Sequence, residues 1–121
     1  MDQTLHCRGL LLDMDGLLLD TERLSQRCWQ AAEEETGKRL PDGYYLTLIG
    51  LSMRLSRQRL TTVFGNPEET EAFLRVVNGL YRQALESDCV PVKKGAADFL
   101  KWLQDNRVPV CLATSTGREL A

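Results

Sequence analysis

The chain has 121 residues, enough for one compact domain or for a small domain and part of another. Hydrophobic residues make up 43% and charged residues 26%, which excludes a disordered or fibrous chain. The net charge of -2 argues against nucleic acid or an anionic membrane as a partner, and no apolar run approaches the ~20 residues that span a bilayer.

The N-terminal MDQTLHCRG has no basic start followed by an apolar block, so no secretory leader is expected and the chain is read as cytoplasmic. Residues 8–13, RGLLLD, form a continuously apolar run that closes on a carboxylate. Such a run predicts a short buried strand of a parallel sheet. Asp13-Met14-Asp15-Gly16 then signals a turn. From Thr21 to Glu35 the apolar residues Leu24, Cys28, Trp29 and Ala32 recur at helical spacing, and Gly37 supplies the stop. Pro41-Asp42 opens a short helix carrying Tyr44, Tyr45, Leu48 and Ile49, broken at Gly50. Ser52 begins a helix bearing Leu55, Leu60 and Val63, which ends at Gly65-Asn66. Pro67 begins a longer helix through Phe73, Leu74, Val77, Leu80, Tyr81 and Leu85. Trp29, Tyr44, Tyr45 and Phe73 are read as core of this helical block. Pro91 to Gly95 is a loop, and Ala96 to Asn106 is an amphipathic helix with Phe99, Leu100, Trp102 and Leu103 on its apolar side. Val108 to Ala113 predicts a second buried strand, ended by Thr114-Ser115-Thr116, and Gly117 to Ala121 starts another helix.

This order predicts an α/β fold: a doubly wound, Rossmann-like parallel-sheet core, incomplete in this chain, with an inserted all-α helical bundle. The core would comprise 1–20 and 90–121, and the insert 21–89. The four cysteines, Cys7, Cys28, Cys89 and Cys111, form no CxxC pair and are expected to be reduced and mostly buried. His6 is the single histidine, which argues against a Ser-His-Asp or Cys-His triad.

Open parallel sheets bind ligands outside the carboxyl ends of their strands. Asp13 and Asp15 lie at one such end and Thr114-Ser115-Thr116 at the other. Two acids separated by one residue can converge on one site. Their hard oxygens suit Mg²⁺, which would offset repulsion from an incoming phosphate. A carboxylate can attack phosphorus to form an aspartyl-phosphate, and a second acid can protonate the leaving oxygen and later activate water. A hydroxyl and backbone N–H groups can hold the phosphoryl oxygens. The competing reading, a structural turn, loses weight because a strand precedes the motif, Asp20-Thr21-Glu22 follows it, and a Thr-ended strand lies downstream. An EF-hand loop is excluded because Leu17 occupies its third ligand position.

Asp13-Met14-Asp15-Gly16-Leu17-Leu18-Leu19-Asp20-Thr21-Glu22 resembles the DxDGxxxDTE signature that opens haloacid-dehalogenase-type phosphatases with a small helical cap. Leu112-Ala113-Thr114-Ser115-Thr116 is similar to that family's second motif. Gly50-Leu51-Ser52 and Lys94-Gly95 fall where its β-phosphoglucomutase-like branch has a cap loop and a return to the core. The resemblance implies that Asp13 is the nucleophile and a Mg²⁺ ligand. It implies that Asp15 is the general acid/base and binds Mg²⁺ through its backbone carbonyl. Thr114 would hydrogen-bond the transferring phosphoryl group and Ser115 would offer a backbone N–H. Residues 14–20 would form a mobile turn, the insert would be a cap domain, and Gly50, Ser52 and Arg54 would face the substrate. Ile49 and Met53 stand where phosphomutases of that branch carry basic residues, with Arg54 one position later. That departure favours a phosphatase acting on a small phosphorylated metabolite, with a phosphomutase as the alternative.

The family's lysine motif and later acidic pair have no counterpart here, since Lys93 and Lys94 precede the second strand. Lys93, Lys94 and Arg118 are read as solvated charges. The expectation is therefore part of a longer enzyme, inactive alone and self-associating through exposed sheet edges. A non-catalytic interaction domain is the alternative from a different class.

Overall fold

The computed structural model describes residues 7–87, 90–116 and 118. In chain order the elements are strand β1 (Leu10–Asp13), helix α1 (Thr21–Thr36), a 3₁₀ helix (Tyr44–Leu48), helices α2 (Met53–Phe64), α3 (Pro67–Glu86) and α4 (Ala96–Asp105), and strand β2 (Val110–Ala113). The fold is α/β with one short parallel sheet. The chain divides into two compact units, Met1–Glu22 with Val90–Ala121, and Arg23–Cys89. His6 and Cys89 lie outside the described residues, as does the helix expected at Gly117–Ala121, of which Arg118 alone is described.

In the first unit β1 pairs with β2 in parallel, with Leu10 opposite Val110 and Asp13 opposite Ala113. Pro109 leads into β2 and its carbonyl accepts the Leu10 N–H at 2.9 Å. The continuous leucine run predicts a strand covered on both faces, and the structure differs. Leu12 is buried, but Leu11 is 77% exposed and every residue of β2 is exposed. A parallel strand is buried only where helices cover both faces and neighbours flank its edges. The described residues supply two strands, so the period-two alternation of the backbone decides which leucine is covered. The same correction applies to α4. Ala96 and Leu103 are buried, whereas Phe99, Leu100 and Trp102 are 42%, 41% and 56% exposed.

The second unit holds a packed helical core. Ala32, Phe73 and Val77 form one cluster and Leu48, Leu60 and Leu74 another, with Trp29, Leu40 and Phe64 packed against both. Phe73 meets Trp29 edge-on at 5.5 Å between ring centroids and Phe64 at 5.1 Å, while Trp29 meets Tyr45 at 5.3 Å. Offset and edge-on arrangements are those that the ring quadrupoles favour. The helix starts follow from local chemistry. Ser52 accepts the Leu55 N–H, and Asn66 accepts the Glu69 N–H at 2.7 Å with Pro67 next. The helix expected from Pro41 is a 3₁₀ turn, with Ile49 extended after it. Gly50 follows at φ 79°, a left-handed conformation that glycine adopts without strain.

Cys28 is buried, but Cys7 and Cys111 are exposed, against the expectation of mostly buried thiols. Cys111 sits on the uncovered strand, which explains its exposure. Among the described residues no helix is long and apolar enough to cross a membrane.

Candidate active site

The parallel register brings the two strand ends together. Because Asp13 lies opposite Ala113, residues 14–16 and 114–116 leave the sheet side by side at its carboxyl end. Asp13 is exposed, and its Oδ1 accepts the Met14 N–H at 2.9 Å. Asp15 is half-buried, and its Oδ2 accepts two hydroxyls, Thr116 Oγ1 at 2.7 Å and Thr114 Oγ1 at 3.2 Å. Thr114 Oγ1 in turn accepts the Thr116 N–H at 3.1 Å. The structure thus brings Asp13, Asp15 and Thr114 to one place. Ser115 is exposed between the two threonines.

The turn that carries Asp15 is tightly bonded. The Met14 carbonyl accepts the N–H groups of Leu18 at 3.0 Å and Leu19 at 3.1 Å, and the Gly16 N–H reaches the Leu19 carbonyl at 2.9 Å. Gly16 has φ 78°, a left-handed conformation that favours glycine, and a Cβ there would stand 3.3 Å from the movable carboxylate end of Glu22. Further backbone bonds tie this turn to the segment entering α4: Asp20 N–H to the Pro91 carbonyl at 2.7 Å, and Lys93 N–H to the Leu18 carbonyl at 2.9 Å. Lys93 Nζ stands 3.7 Å from Asp20 Oδ1. With 42% of its side chain exposed, Lys93 pairs with Asp20 while staying solvated.

Thr116, which the sequence places at this strand end without assigning it a role, bonds Asp15 directly. A signal was present: Thr116 follows Thr114 by the same spacing that separates Asp15 from Asp13. Gly50, Ser52 and Arg54 belong to the second unit. Gly50 and Ser52 are exposed, and the Ser52 hydroxyl caps α2. Arg54 is exposed and lines an open groove of about 510 Å³ with Arg57, Thr61 and Glu71.

Among the described residues no three or more His, Cys, Asp or Glu side chains form a metal-holding cluster. Mg²⁺ does not demand one, because it binds through one or two carboxylates and keeps several waters. The exposed Asp13 carboxylate fits that requirement.

A sequence model of the haloacid dehalogenase-like hydrolases matches residues 7–121. A probable pseudouridine-5'-phosphatase of Drosophila melanogaster is 31% identical over 115 residues, covering 95% of this chain and 48% of the relative. A phosphorylated carbohydrates phosphatase of Thermotoga maritima is 25% identical over 108 residues, covering 89% of this chain and 50% of the relative. Among solved structures, a putative β-phosphoglucomutase from Thermotoga maritima superposes with a TM-score of 0.70 at 23% identity, covering 93% of this chain and 52% of that one. A HAD hydrolase of family IA, variant 3, from Entamoeba histolytica gives 0.69 at 21% identity, covering 94% and 52%. The two structural likenesses concern the fold. The chain spans about half the length of the curated relatives it matches.

Proposed function

The chain belongs to the haloacid dehalogenase-like hydrolase family, and on that premise we propose that it is the N-terminal part of a Mg²⁺-dependent phosphatase of a small phosphorylated metabolite. The observation that carries the reading is the meeting of Asp13, Asp15 and Thr114 at the carboxyl end of the β1–β2 pair. In this reading Asp13 attacks phosphorus and forms an aspartyl-phosphate while the leaving oxygen departs. Asp15 gives that oxygen a proton and then takes one from the water that releases phosphate. The Thr114 hydroxyl and the Ser115 backbone N–H hold phosphoryl oxygens. The Asp13 carboxylate and the Asp15 carbonyl would hold Mg²⁺, which when bound neutralises phosphoryl charge and orients the group. The helical unit acts as a cap, with Gly50, Ser52 and Arg54 toward substrate.

Two curated relatives are named as phosphatases, one of pseudouridine 5'-phosphate and one of phosphorylated carbohydrates. This supports a sugar-phosphate-like substrate. Ile49 and Met53 in place of basic residues favour hydrolysis over mutase chemistry. The remaining charge-neutralising lysine and acidic metal ligands would come from a later part of the protein.

The test is phosphate release from nucleoside 5'-phosphates and sugar phosphates by the product of the complete reading frame containing this chain. Release that needs Mg²⁺ and stops on chelation is expected, while the 121-residue chain turns over little. Isomerised sugar phosphate without free phosphate would favour a mutase, and robust turnover by the chain alone would contradict its incomplete site.

A further inference from the structure

Two hydroxyls, from Thr114 and Thr116, converge on a single oxygen of Asp15. A hydroxyl has one proton to donate. Thr114 gives its proton to Asp15 and accepts from the Thr116 backbone, so its orientation is fixed at both ends. Thr116 therefore acts twice. Its amide sets the Thr114 hydroxyl, and its own hydroxyl makes the shorter bond to Asp15, 2.7 Å against 3.2 Å. The shorter distance is typical of an O–H donor to a carboxylate, the stronger class of hydrogen bond.

A half-buried aspartate on a turn has three staggered χ1 wells open to it unless a partner selects one. Two donors on the same oxygen, 99 and 101 residues away in sequence, make that selection across the strand pair. Threonine suits the task because its β-branch restricts χ1, which makes it a stiffer donor than serine. We propose that Thr116 is the positioning residue of the site: it holds the Asp15 carboxylate in one rotamer and orients the Thr114 hydroxyl beside it. The role in turnover rests on the reading of Asp15 as acid/base, whereas the geometric role does not.

The experiment separates the two. Side-chain couplings of Asp15, measured by NMR on the 121-residue chain, report its χ1 populations. The wild-type chain is expected to show one dominant rotamer, Thr116→Val to spread the populations, and Thr116→Ser to restore them. Thr116→Ala replaces valine if the valine chain does not fold. An Asp15 averaged over its rotamers in the wild type, or unmoved by loss of the Thr116 hydroxyl, overturns the proposal. In the complete enzyme, Thr116→Val should lower kcat by about 10- to 100-fold with KM little changed, and Thr116→Ser should recover most of it. Should the complete protein prove not to be a phosphatase, the Asp15 rotamers still decide the positioning role.

Discussion

At the scale of single residues, environment separates groups of the same type. Cys28 is buried, and desolvation pushes its thiol above the ordinary value, with nearby Arg27 opposing more weakly. A raised value means less thiolate at neutral pH, and the thiolate is the reactive form. Iodoacetamide at neutral pH should therefore label the exposed Cys7 and Cys111 at least about tenfold faster than Cys28, read by peptide mass spectrometry. Equal rates would show that Cys28 is not shielded in solution. The carboxylates were legible in the sequence because a turn between a strand and a helix leaves few roles for two acids and a glycine. Thr116 was not, because its role depends on where β2 lies against β1. That register brings together residues 101 apart.

At the scale of elements, the helices were legible and the strands only in part. Caps act over three or four residues, so Ser52, Asn66 and Pro67 announce α2 and α3 locally. Burial of a strand depends on what covers it, and nothing in RGLLLD or VPVCLA encodes that. The same holds for α4, whose Phe99 and Trp102 have helical spacing yet stand exposed. The stability of the helical unit should concentrate at Phe73, which is 0% exposed between the Trp29 and Phe64 rings. Phe73→Ala is expected to destabilise by about 3–5 kcal/mol in denaturant titration. Asn66→Ala, which removes one cap bond, should cost only about 1 kcal/mol. Similar losses for the two would mean that the ring cluster is not the centre of this core.

At the scale of the molecule, the first unit leaves apolar surface uncovered. Leu11, Val110 and Leu112 of the strand pair are 77%, 44% and 45% exposed. Open strand edges with apolar side chains template pairing with another chain. The 121-residue chain should therefore self-associate as concentration rises in sedimentation velocity, and Leu11→Lys should weaken that association. A monomer at all concentrations would speak against it. In the proposed chemistry Asp13 carries the phosphoryl group. The most direct measurement is acid-quench peptide mapping of the complete protein during turnover with Mg²⁺ and a hydrolysed sugar phosphate. A phosphoryl adduct on Asp13, lost in Asp13→Asn together with a fall in kcat on the order of 10⁴-fold or more, is the predicted result. An adduct on another residue, or phosphate release that persists in Asp13→Asn, would contradict it.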